Sequence, residues 1–197
     1  MPARGPRPSP RSAIRCGRDG ERAVNSLRGK LLIAAPQLVD YFRRTVVLVL
    51  EHDEGGAMGL VLNRPTETEV AHAVPALAEL AGDRDVVHAG GPVEPGAVLA
   101  LGDFEDPAEA GTPVSGTLGL LDPERPDPDL RRLRVFVGYA GWGSGQLDAE
   151  LSENAWLTAP AAPEDPFIDG DLWPVVLQRM GGAYALMASM PADPSMN

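Results

Sequence analysis

The hydrophobic pattern divides the chain into short runs. KLLIAA (30–35) and TVVLVLEH (45–52) are apolar and bounded by Pro36 and by the DEGG turn at 53–56. Their length and β-branched content predict buried strands. AMGLVLN (57–63) follows the turn, so 45–63 predicts a hairpin. DVVHAGGPV (85–93) predicts a short strand entering a Gly-Gly-Pro turn. AVLALG (97–102), VSGTLGLL (114–121), RVFVGYAG (134–141) and WLTAPA (156–161) predict further strands, and DYFRR (40–44) a turn or a short helical piece. Helical spacing marks TEVAHAVPALAEL (68–80), although Pro75 must delay or kink that helix. It also marks GQLDAELSENAW (145–156) and DLWPVVLQRMGG (171–182). In the last of these, a cap at Asp171 or Leu172 puts Pro174 in the first turn, and Gly181 and Gly182 end the helix. YALMASM (184–190) predicts a last strand or a packing tail. Strands and helices do not alternate regularly. The pattern therefore predicts an α+β fold: a compact single domain with a mixed, mostly antiparallel β-sheet and flanking helices. The domain spans 29–190, with 1–28 read as a disordered basic arm and 191–197 as a flexible tail.

Charge sharpens this division. The 197 residues carry a formal charge of −11. Residues 1–30 hold seven Arg and the only Lys against two acidic residues, a net of +6, which leaves −17 for the rest. A body this acidic repels a phosphate backbone, so direct DNA binding by it is not expected. Cys16, the only cysteine, falls in the arm, which leaves no disulfide framework or cysteine metal site within the chain. The basic N-terminus lacks the apolar segment of a signal peptide, and no apolar stretch approaches a membrane span. The expectation is a cytoplasmic protein without a membrane partner.

The densest motif is GYAGWGSGQLDAEL (138–151), a glycine-rich strand-to-helix junction. Such a junction can present free N–H groups to an anion. The spacing argues against a dinucleotide loop, because GxGxxG would need glycine where Gln146 stands. GxSxG would need glycine at Trp142 and Gln146, so no nucleophile elbow is present, and Ser144 reads as a helix cap. Gln146, Glu150 and Glu153 share one helical face, and Leu147 and Leu151 pack inward beside it. Asn63-Arg64-Pro65 ends an apolar strand. Pro65 holds Arg64 extended, so its guanidinium projects to pair with a carboxylate such as Glu150 or to bind an anion. His52, His72 and His88 lack metal-ligand spacing and read as surface histidines; a site shared by His52 and His88 is the alternative. No metal or cofactor is expected.

In this order the motifs resemble the bacterial YqgE/AlgH family. The resemblance runs through GKLLIAAP (29–36), FRRTVV (42–47), GAMGLVLNRP (56–65), GGPV (90–93), the 138–151 junction and WL (156–157), covering nearly everything but the two tails. The arm before Gly29 and the stretch 102–113 depart from the family pattern. The resemblance implies a single-domain α+β fold and brings no established reaction. The family carries the label of a transcriptional regulator, which this acidic body, without a helix-turn-helix pattern, does not support as direct DNA binding.

Two functions follow as expectations. The first is a non-catalytic binding or regulatory module for a small ligand or a protein partner. Its pocket is lined by Asn63, Arg64, Pro65, Gly90, Gly91, Pro92, Tyr139, Trp142, Gly143, Gly145, Gln146 and Glu150. The second is a hydrolase acting on a small anionic substrate in the same pocket, using Arg64 and Glu150.

Overall fold

The computed structural model describes residues 26–82, 84–122, 124 and 128–190; the arm up to residue 25, with Cys16, and the tail 191–197 lie outside them. In chain order the elements are β1 (Lys30–Ala34), β2 (Val46–Asp53), β3 (Gly56–Val61), β4 (Pro65–Glu69), α1 (Val70–Ala73), β5 (Val86–Ala89), β6 (Val93–Phe104), β7 (Thr112–Ser115), β8 (Leu118–Leu120), β9 (Leu130–Gly143), α2 (Gln146–Ser152), β10 (Trp156–Pro160), α3 (Leu172–Met180) and α4 (Gly182–Met187). The strand order is β10-β1-β2-β3-β9-β6-β8-β7, with antiparallel neighbours. β5 joins β9 in parallel and pairs antiparallel with β4. The fold is thus α+β with a mixed, mostly antiparallel sheet.

The apolar runs are continuous because the sheet is covered on both sides. Leu31, Ile33, Val46, Leu48 and Leu60 pack with Leu172, Trp173, Val176 and Leu177 of α3. The alternate residues Leu32, Ala34, Val47, Val49 and Val61 pack with Trp142, Leu147 and Trp156. Period-2 alternation therefore sorts one strand into two cores. A third cluster sets Val70 and Ala81 against Val87, Leu133 and Val135.

β9 organises the molecule. Residues 130–139 pair with β6 along one edge. On the other edge β5 meets Phe136 and Val137, and β3 then takes over at 140–143. The register His88↔Phe136 brings 84–86 alongside 132–134 without a ladder, which leaves a gap between the two segments. α3 is bounded as its sequence predicts: the Asp171 side chain accepts from Trp173 N at 3.3 Å, and Gly181 (φ 72°) ends it.

Several elements differ from their expected form. The helix over 68–80 is reduced to one turn, α1. Pro75 has no N–H to continue it and opens a 3-10 turn instead. The residues before it form β4, whose mostly exposed side chains gave no apolar signal. The run 114–121 splits into β7 and β8 around Gly116. α2 stops at Ser152, because Asn154 takes a left-handed conformation (φ 59°) and Trp156 enters β10. Residues 184–190 contribute to the helix α4, not to a strand. Among the described residues no helix is long and apolar enough to cross a membrane.

Candidate functional site

The junction after β9 is built around one carboxylate. Gly145 enters α2 with φ 69°, a left-handed conformation that glycine adopts without steric cost. The turn aims Gln146 and Glu150 back toward the strand end. Glu150 Oε2 accepts from Trp142 Nε1 at 2.9 Å and Trp156 Nε1 at 2.8 Å, and Oε1 accepts from Gln146 Nε2 at 2.9 Å. Gln146 Oε1 in turn accepts from Gly143 N at 3.1 Å. Both indoles are buried, and Phe42 stacks on Trp142 and meets Trp156 edge-on. Ser144 does not cap α2, as its sequence position suggested. Its hydroxyl donates to Glu54 O at 2.6 Å and ties the helix entry to the β2–β3 turn.

Arg64 does not pair with Glu150. Its guanidinium donates to Arg43 O at 2.6 Å. Asn63 Nδ2 donates to Arg44 O at 2.8 Å, and its Oδ1 accepts from Val46 N at 3.0 Å. The NRP segment thus fastens the 40–45 loop, and Phe42 of that loop closes over the two tryptophans. Arg64 O accepts from Ala89 N, and Pro65 lies opposite His88 in the β4–β5 pair.

Gly90 and Gly91 are pressed onto β9. Gly90 N donates to Val137 O, and its carbonyl accepts from Val61 N, both at 2.8 Å. A Cβ on Gly90 would sit 2.3 Å from Gly138 O, and one on Gly91 2.0 Å from the Tyr139 carbonyl carbon. Pro92 is exposed beside them, and Tyr139 pairs with Val93 and packs on the α3 core. The three motif segments are therefore joined by backbone contacts and by the 40–45 loop. Their polar side chains bond to the protein's own backbone and side chains: Asn63 and Arg64 to the 40–45 loop and Val46, Ser144 to Glu54, and Gln146 and Glu150 within the junction and to Trp156.

A polar cleft opens elsewhere, at the β5–β9 gap. It has a volume of about 200 Å³ and is lined by Val70, Arg84, Asp85, Val86, His88, Leu133, Arg134, Val135 and Asp169. His88 and His52, expected at the surface, are 5% and 8% exposed. His52 Nδ1 accepts from Leu27 N, which holds the start of the described chain against β2. His88 Nδ1 lies 3.1 Å from Val86 O, and its ring meets Phe136. Because a carbonyl only accepts, the proton sits on Nδ1. Arg134 is fixed by Asp169 at 2.7 Å and by the Ile168 carbonyl at 3.2 Å. The loop carrying Asp169 follows Asp165, which is fully buried and held by both guanidinium nitrogens of Arg179, at 2.7 and 2.8 Å. The signal for the buried His88 was present in DVVHA: a histidine inside a short apolar run is carried into the core with its neighbours.

Burial lowers the His88 pKa from its ordinary 6.5 to about 4, and the Arg134 charge adds to this. The Val86 carbonyl, Asp169 and Asp85 oppose it. The depressed value means the unfolded chain takes up the proton first. The stability conferred by neutral His88 is complete above pH 6.5 and is lost as pH falls toward 4. Melting temperatures measured across this window should decline more steeply for the native chain than for His88→Phe. Parallel curves would assign the acid sensitivity to other groups.

The model of a family described as AlgH-like matches residues 31–185. A UPF0301 protein of Streptomyces coelicolor is 44% identical over 192 residues, covering 90% of this chain and 99% of its own length. One from Mycobacterium leprae is 39% identical over 181 residues, covering 86% and 90%. Among solved structures, a Corynebacterium diphtheriae protein superposes with a TM-score of 0.76 at 28% identity, over 83% of this chain and 92% of that one. The AlgH protein from Pseudomonas aeruginosa, a UPF0301 protein, gives 0.65 at 31% identity, over 85% and 95%.

Proposed function

The chain belongs to the AlgH-like family, and on that premise we propose that it acts in the cytoplasm as a non-catalytic binding or regulatory module. The engagement of the motif's polar groups carries this reading. A hydrolase needs a base with a free lone pair beside an activated nucleophile. Glu150 instead accepts two indole N–H bonds and one amide bond. Arg64 is bonded to a backbone carbonyl, and Ser144 donates to another. A regulatory role then runs through a small ligand or a protein partner. The charge of −17 beyond residue 30 argues against duplex DNA as the body's ligand.

The test is a thermal-shift screen of the full chain against small metabolites grouped by chemical class, with each stabilising compound recovered afterwards. One class should raise the melting temperature saturably and be recovered unchanged. Conversion of the stabilising compound would replace this reading with the hydrolase one, and the absence of any stabilising class would count against a small-ligand module.

A further inference from the structure

We propose that the cleft between the α1 region, β5 and β9 binds a small hydroxy acid as its anion. The hydroxyl would donate to His88 Nε2, and the carboxylate would meet Arg84. This rests on the reading of the chain as a binding module and gives that module a ligand class.

Three observations converge. The first is an unpartnered nitrogen on a buried ring. His88 is 5% exposed and spends Nδ1 on the Val86 carbonyl. Among the described residues no fully buried side-chain nitrogen or oxygen lacks a hydrogen-bond partner. Nε2, which has none, therefore reaches the cleft that the ring lines. With the proton on Nδ1, Nε2 is a lone-pair acceptor, and it calls for a donor. Arg134 stands beside the ring and offsets Asp169 and Asp85, so no net negative charge selects an ammonium group over a neutral hydroxyl.

The second is charge. Arg134 is matched by Asp169, whereas Arg84 forms no ion pair among the described residues. Asp85, whose Oδ2 accepts from Gly82 N at 2.9 Å, balances the remaining charge of the lining, but it forms no ion pair with Arg84, whose planar fork stays open to a carboxylate. The third is size. A volume of about 200 Å³ lies below the roughly 300–1,000 Å³ of sites for drug-sized ligands. Its floor of Val70, Leu133 and Val135 accommodates a short carbon chain.

The full chain should be titrated with D-glycerate, L-lactate and propionate, following backbone amide and histidine ring resonances. Glycerate or lactate should shift the His88 ring and the Arg84–Val86 amides saturably. Propionate, which has no hydroxyl, should bind about tenfold more weakly, and Arg84→Gln should lose at least about tenfold, the value of one charge-assisted hydrogen bond. Arg84 is exposed, so this variant keeps its fold, and His88→Phe adds a second test where it folds. Absence of saturable shifts at His88, or equal binding by Arg84→Gln, overturns the proposal. Saturable shifts confined to residues away from His88 and Arg84–Val86 would overturn it while leaving the module reading intact. Turnover of a hydroxy acid bound in the cleft would sink the module reading and leave the site standing.

Discussion

Replacing Glu150 with leucine should lower the melting temperature by about 10 °C, with an accompanying change in tryptophan fluorescence. The indole N–H is a donor with no alternative role. Trp142 and Trp156 are 6% and 4% exposed, and both donate to one oxygen of Glu150. Leucine removes that acceptor and leaves two buried donors unsatisfied, at about 1–3 kcal/mol each. A domain of this size shifts by about 2–4 °C per kcal/mol. Glu150→Gln should lose less, because its amide oxygen still accepts from an indole. Thermal denaturation followed at the tryptophans checks both. Unchanged melting of the leucine variant would mean that the carboxylate does not hold the junction together, and it would return Glu150 to candidacy as a reactive group.

Gly91→Ala should abolish folding or cost more than about 4 kcal/mol, the range reserved for severe backbone or core lesions. The added Cβ would lie 2.0 Å from the Tyr139 carbonyl carbon and 2.2 Å from Ala140 N. Main chain cannot move aside as a flexible side chain can. Parting the two segments would also strain the bonds from Val61 N to Gly90 O and from Gly90 N to Val137 O. Gly96→Ala is the control, since its Cβ meets nothing within 4 Å. Soluble yield and denaturant unfolding of the two variants should diverge sharply. Similar stability would show that β9 and the GGP turn are not in the close contact described.

Both predictions concern residues that the sequence marked as a pocket and that the fold engages in its own architecture. A glycine-rich junction, an arginine before a proline and a glutamate on a short helix look alike whether they serve a ligand or the frame. The distinction lies in who receives each hydrogen bond. Arg64 reaches Arg43, 21 residues back, and Ser144 reaches Glu54, 90 residues back. No local spacing encodes either partner. The His88 cleft was illegible for the same reason, because it depends on how far a parallel strand runs beside β9 before its pairing starts.

The sequence by itself determined what depends on near neighbours. Short apolar runs and their β-branched content placed β1, β2, β3 and the core of β9. The DEGG turn set the hairpin, and Asp171 and Gly181 bounded α3. The ordered motifs carried the family. Only the tertiary structure decided what depends on distant ones. Pro75 could delay or kink a helix, and the packing over β5 and β9 left a single turn there. β4 exists because β5 offers it an edge, not because of its own polar residues. Glu150 serves two tryptophans, and not Arg64, because β9 and β10 bring those indoles to one carboxylate. Short-range sterics act through three or four residues of chain and can be read along it, whereas partners, burial and clefts arise from segments that meet only when the sheet has closed.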